Sequence, residues 1–328
     1  MATRLYKFDN LLRIGLGNIS HLSISDIQWV QASFPVSFGG LGVRCLASLA
    51  LSAFLASAAA THTLQSLLLH NSHHSPDLHR DNLLSIWLTT FSSTTPSAPS
   101  DGKQNAWDKP VFTADLTAVK SHIFDSFNTG RLLAISAPHG GDWLHALPLA
   151  TCGLKLDNEA IKIAVGLHLG INLCEPHQCL CGKLVDARGT HGLSCKHGVA
   201  SAICHHQLNN IVRCALVRAN IPSVLEPTGL SREDGKQPDC MTLIPWQGER
   251  NVTWDVTVTD TIPSYLHLSV ACAGSAAEGT ASRKEIKYAT LDHSYTFITL
   301  AFETYGPINN KGTKFLQELG HHLRTIKR

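Results

Sequence analysis

The sequence predicts an α+β protein: a helical N-terminal half, a compact cysteine- and histidine-rich segment, then a small mixed sheet flanked by helices. Three observations predict it. Alanine- and leucine-rich stretches such as CLASLALSAFLASAAA (45–60) dominate the first half. The stretch QCLCGKLVDARGTHGLSCK (178–196) gathers three cysteines and a histidine with no hydrophobic period to explain them. Beyond about residue 200, short alternating runs appear, clearest in TWDVTVTD (253–260).

The elements follow in order. Residues 1–70 read as a helical segment, with helix, turn, helix over 20–70; Gly39, Gly40 and Gly42 punctuate the turn. Ser48 and Ser52, one helical turn apart in the apolar run, predict a buried core helix with close packing, and the run is short for a bilayer, which needs ~20 apolar residues. No membrane partner is therefore expected. Residues 71–110 are polar and read as a linker, with a short helical piece around LLSIWLTTF (83–91). Residues 111–173 return to helix, and 174–200 hold the cysteine/histidine segment.

The last region, 201–328, opens with a helix. Ile203, Leu208, Ile211, Val212, Ala215 and Leu216 form its expected apolar face, and His206, Asn210 and Arg213 lie opposite. Strands are expected in IPSVLEPTGL (221–230), PDCMTLIPW (238–246) and TWDVTVTD, with a turn at Asp234-Gly235. In the third strand Trp254, Val256 and Val258 share one face, and Asp255, Thr257 and Thr259 the other. A helix over 274–291, a strand over 295–306 and a basic C-terminal helix complete the pattern.

Composition narrows the function. The chain has 328 residues, 44% of them hydrophobic, which is enough for a real core. A net charge of +2 gives no global basic field. MATRLYKFDN carries charges where a signal core would sit, so an intracellular location is expected and clustered cysteines point to metal. Cys45, Cys152, Cys204, Cys214, Cys240 and Cys272 are dispersed and are expected as small buried hydrophobes.

Two constellations carry chemistry. Cys179, Cys181, His191 and Cys195 have the spacing Cys-x-Cys-x9-His-x3-Cys, a tetrahedral set suited to a structural Zn²⁺. Gly182 and Gly189 permit the tight backbone of a knuckle, while Cys174, His177 and His197 stand close enough to be alternative ligands. Glu226, Asp239 and Asp255 fall in three successive strands. A carboxylate buried among apolar residues needs a partner or a metal, and two or three on one sheet face can hold Mg²⁺ or Mn²⁺. Thr257 occupies the position where a lysine two residues after the second acid would stand. Lys284 and Tyr288 share a face of the following helix, with Lys287 beside them, and a lysine there could reach the same site.

In order, CLCGKLVDARGTHGLSCK, HH…LNN, EPTGLSREDGKQPD, WDVTVTD and AAEG…KEIKYATL resemble the C-terminal part of non-LTR retrotransposon reverse-transcriptase polyproteins. There a CCHC zinc knuckle precedes a restriction-like PD-(D/E)xK endonuclease. FPVSFGGLGVRCLASLALSAFLAS looks like the segment after the polymerase palm. The resemblance runs from about 34 to the C-terminus and is weakest over 71–135. It implies a restriction-endonuclease-like sheet and a metal-dependent DNA endonuclease that nicks target DNA for target-primed reverse transcription. Cys179, Cys181, His191 and Cys195 fall on the knuckle, and Asp239 and Asp255 on the two acids. Lys284, or else Lys287, falls on the displaced lysine, with Tyr288 as its companion; Glu226 is a further acid. His205, His206 and Arg213 are expected to face nucleic acid.

Two positions depart from the family pattern. His205 and Gln237 stand where arginine is usual, which removes two phosphate-binding cations and points toward a degenerate or non-catalytic nucleic-acid-binding remnant. No Asp-Asp pair is present, so the chain is expected to lack the polymerase core and to be the tail of a polyprotein. DNA, and the RNA of the element, are the implied partners; no small-molecule cofactor is, and the implied site of action is nuclear.

Overall fold

A computed structural model of the protein describes residues 2–68, 77–92, 94–97, 102–150, 154–195, 197, 200–230, 237–246, 248–259, 272–291 and 293–326. The architecture is α+β. The chain divides into two compact units, one of Met1–Val36, Gly40–Phe124 and Asp157–Val165, the other of Ser37–Gly39, Asp125–Leu156 and Gly166–Arg328.

The first unit is built from helices α1 (Ala2–Ser20), α2 (Asp26–Ser33), α3 (Leu46–Leu68), α4 (Leu78–Phe91) and α5 (Gln104–Ser121). A capping box opens α2: the Ser25 hydroxyl accepts from the Gln28 amide and the Gln28 side chain accepts from the Ser25 amide. The Asp9 carboxylate of α1 caps α3, accepting from the Leu46 and Ala47 amides at 2.8 and 2.9 Å. The turn before α3 needs glycine, since a Cβ on Gly40 would lie 2.1 Å from the Phe34 carbonyl oxygen.

Helix α3 packs closely on α5 at Ser52, whose hydroxyl donates to the Trp107 carbonyl at 3.2 Å. Its buried stripe is Leu49, Ser52, Leu55 and Ala56. By length and composition α3 is also apolar enough to cross a membrane, and only 22% of its most apolar window is buried. The expected core helix is thus buried along one stripe. The stretch 71–110, read from composition as a linker, contains α4 and the start of α5. Trp87 of α4 is fully buried and meets Trp107 with ring centroids 5.0 Å apart. Leu83, Leu84, Leu88 and Phe91 of the same helix pack around this pair.

The second unit contains α6 (Ser126–Ile135), the paired strands β1 (His177–Gln178) and β2 (Leu184–Val185), the short helix α8 (His191–Ser194), and a sheet with its helices. Helix α7 (Asn158–Leu169) lies between α6 and β1 in the chain. The sheet elements are α9 (Ala200–Arg218), β3 (Ser223–Leu225), β4 (Cys240–Thr242), β5 (Asn251–Thr259), α10 (Ser275–Lys287), β6 (Tyr295–Glu303) and α11 (Asn310–Ile326). Strand order is β3-β4-β5-β6. The first two pairings are antiparallel and β5–β6 is parallel over nine residues, so the sheet is mixed.

Alternation in β5 and β6 gives each face its own layer. Trp254, Val256 and Leu300 point toward α9 and α11, where they join Val212, Leu216, Phe315 and Leu319. Burying each large apolar side chain contributes about 1.5–3 kcal/mol. The other face carries α10, whose Ala277 and Ala281 pack on Ala301 of β6. Glu303 accepts from the Ala276 and Ala277 amides and so caps α10 from the sheet.

Two further expectations differ from the structure. On α9, Val212 and Leu216 of the expected face are buried and Leu208 and Ala215 pack against the core, but Ile203 and Ile211 are exposed and Asn209 joins the buried stripe. The helix is turned so that His205 and Asn209 reach the sheet. Of the dispersed cysteines, Cys240 is buried, Cys45 is half-buried, and Cys204, Cys214 and Cys272 are exposed. Cys152 and the Asp234-Gly235 turn lie outside the described residues.

Candidate metal centre and paired-acid site

The cysteine/histidine segment folds around one point. Strands β1 and β2 make a two-residue ladder, and the Cys179 amide donates to Lys183 O at 2.8 Å across the turn. Gly182, at φ 84°, supplies the left-handed residue that this turn needs. Cys179 and Cys181 come from the turn; His191 comes from α8, and Cys195 directly follows it. The four ligand atoms lie within 4.8 Å of one another. The Cys179 and Cys195 sulfurs are 3.7 Å apart, and Cys181 Sγ lies 3.1 Å from His191 Nε2. A tetrahedral zinc–thiolate pair with bonds of about 2.3 Å has sulfurs about 3.8 Å apart, so the donor set fits a metal such as zinc.

The alternative ligands sit elsewhere. Cys174 Sγ donates to the Asp186 carbonyl at 3.3 Å, and the His177 ring is bonded to the Glu175 carbonyl at 2.9 Å. His197 is exposed and outside the cluster. Arg188 pins the knuckle to α6: its guanidinium lies 4.4 Å from the Phe127 ring centroid and 3.6 Å from Asp125.

Of the three acids expected in successive strands only Asp255 lies within one, in β5; Asp239 immediately precedes β4 and Glu226 immediately follows β3. Cys240 of β4 pairs with Trp254 of β5, so extending the register by one residue sets Asp239 against Asp255. Asp239 Oδ2 accepts three hydrogen bonds: from the Val256 amide at 2.6 Å, His205 Nε2 at 2.9 Å and Asn209 Nδ2 at 3.1 Å. Asp255, almost fully buried, accepts from Lys284 Nζ at 2.7 Å. Lys287 instead donates to the Tyr288 hydroxyl at 3.0 Å, which donates to the Gln237 carbonyl at 3.0 Å.

Electrostatics separate the two acids. Burial alone would raise the pKa of Asp239, but the hydrogen bonds from His205, the Val256 amide and Asn209 outweigh it and hold the carboxyl below its ordinary range. Burial raises Asp255 above its ordinary value; Lys284 opposes this, and the neighbouring Asp239 charge adds to it. The hydrogen bond to Asp239 raises the pKa of His205, against the effect of burial.

Thus Asp239, Asp255, Lys284, Tyr288 and His205 come together, and Lys287 is one bond further out. Glu226 follows β3 and its amide donates to the Asp239 carbonyl at 2.8 Å, but its side chain is exposed. Among the described residues the group of three or more potential metal ligands is the cysteine/histidine set, and neither Glu226 nor the two aspartates belong to one. His206 is exposed, whereas the Nε of Arg213 is buried. His205, expected to face nucleic acid, donates to Asp239 with its side chain 40% exposed. Sequence reasoning missed Asn209, which is 5% exposed. The available signal was an amide four residues after His205, in helical phase with Val212 and Leu216.

No protein-family model matches the chain, and no curated protein proves similar to it.

Proposed function

We propose that the chain is a metal-dependent DNA endonuclease of the restriction-like class, of the kind carried at the C-terminus of non-LTR retrotransposon polyproteins. The observation that carries this reading is the placement of Asp239, the residue immediately before β4, beside the β5 strand that holds Asp255, with Lys284 Nζ 2.7 Å from Asp255. Mg²⁺ and Mn²⁺ prefer oxygen donors, and Mg²⁺ is commonly held by one or two carboxylates together with substrate phosphate. Asp239 fits, because Oδ1 carries no hydrogen bond among the described residues. When bound, the ion supplies a water of lowered pKa and positive charge for the phosphodiester.

The chain's own residues do the rest. Asp239 and Asp255 would hold the ion. Lys284 balances Asp255 and places a cation where charge develops on the phosphate. Zinc held by Cys179, Cys181, His191 and Cys195 would be structural, closed by four protein ligands. The product would be a nick with a free 3′-hydroxyl. DNA and element RNA are the proposed partners, and the nucleus is the proposed location.

The test is nicking of supercoiled plasmid by purified protein with Mg²⁺ or Mn²⁺. Activity is expected in the wild type and lost in Asp239→Ala and Asp255→Ala; equal activity in all three would sink the assignment. A second reading, nucleic-acid binding without cleavage, is favoured by Gln237 and His205 standing where arginines would hold phosphate. Steeply salt-dependent binding with no metal-dependent nicking would select it.

A further inference from the structure

We infer that Asn209 and His205 of α9 are positioning residues: they fix the Asp239 carboxylate by one oxygen, Oδ2, so that the other, Oδ1, is presented to a divalent cation. The inference rests on the metal-dependent reading above and adds two residues to which that reading gives no such role.

The orientation of Asn209 is set by chemistry. The Trp254 indole N–H can only donate, and it lies 3.2 Å from Asn209 Oδ1. The Cys240 thiol lies 3.7 Å from the same oxygen. The amide nitrogen must therefore face the other way, and it does, donating to Asp239 Oδ2 at 3.1 Å. Asn209 and the Trp254 side chain are both buried, so this bond is shielded from water and its geometry is held by the core.

The arrangement ties one acid to the strand of the other. Trp254 precedes Asp255 and acts on Asp239 through Asn209; Val256 follows Asp255 and donates its amide to Asp239 directly at 2.6 Å. His205 Nε2–H adds a third donor at 2.9 Å from the solvent side. With three donors on Oδ2 and none on Oδ1 among the described residues, the carboxylate cannot rotate without breaking a buried bond. Outer-shell partners of this kind typically alter metal affinity by about 10–100-fold when removed.

The experiment measures binding of Mn²⁺ alone to the full, zinc-loaded chain by electron paramagnetic resonance, beside plasmid nicking as a function of Mg²⁺. Asn209→Ala and His205→Leu are expected to weaken Mn²⁺ binding by about 10–100-fold. They should raise the Mg²⁺ concentration needed for half-maximal nicking, with a smaller change in the rate at saturating metal. His205→Gln, which restores a nitrogen donor, should recover most of the affinity. His205 is half-buried at the surface, so its variants keep the test alive if Asn209→Ala fails to fold. Wild-type Mn²⁺ affinity in the folded variants, with binding lost in Asp239→Ala, overturns the positioning role and leaves the metal site standing. Unchanged binding in Asp239→Ala overturns both.

Discussion

At the scale of single residues, the site separates Lys284 from its alternative, Lys287. Lys284 reaches Asp255, whereas Lys287 is held by the Tyr288 hydroxyl and lies 4.4 Å from that ring's centroid. Three residues of helix separate them, which is enough to point one at the buried acid and the other past it. Lys284→Ala is therefore expected to lower nicking by about 10²–10³-fold, the usual cost of losing one charge-stabilising donor. Lys287→Ala should cost far less. Rates measured at saturating Mg²⁺ separate the two, and a larger loss from Lys287→Ala would reverse the assignment. On the proposed reading the lysine comes from a helix, and the strand position two residues after Asp255 holds Thr257, a short hydroxyl.

At the scale of elements, the knuckle makes a discriminating prediction. Cys181→Ser should lose stoichiometric zinc, while Cys174→Ser should keep it, because Cys174 is turned onto the Asp186 and Ala187 carbonyls. Metal analysis of the purified variants checks this; equal zinc in both would reject the four-ligand set. Much of this element was legible, since glycine-punctuated cysteines without a hydrophobic period have few other readings. Strand β5 was legible for a similar reason, because its alternation is strict. Helix α4 was legible only in part: the helical piece expected over 83–91 lies within it, but its first turn and its packing around Trp87 were not, because composition averaged over 71–110 dilutes the apolar stripe. The face of α9 was legible in Leu208, Val212, Ala215 and Leu216 but not in Asn209, because periodicity counts apolar residues and here a buried amide joins the stripe. Exposed Ile203 and Ile211 matched the helical period and were still outside the core.

At the scale of the whole molecule, the paired acids and His205 leave a mark on stability. The depressed Asp239 carboxyl contributes stability that is fully present above its ordinary value of 3.8 and is lost as pH falls through its folded value. The raised His205 contributes stability that is fully present below its ordinary value of 6.5 and is lost as pH rises through its folded value. Asp255, raised by burial, works against Asp239 on the acid side, so the clean signal is alkaline. The melting temperature of the wild type should fall toward that of His205→Gln as pH rises beyond 6.5; a constant difference between them would contradict the pairing. The mixed sheet also has a consequence for how the molecule assembles in time. Strands β4 and β5 pair across the short connection 243–250, but β6 joins β5 in parallel only after 260–294 has closed. Loop closure costs more entropy as the loop lengthens, and non-local pairing is slow. Pulsed hydrogen exchange should therefore find the β4–β5 pairing protected before β6, and simultaneous protection would count against it. On that order the two acids would be neighbours before Lys284 arrives, and His205 and Asn209 of α9 would be the side-chain partners that Asp239 then has.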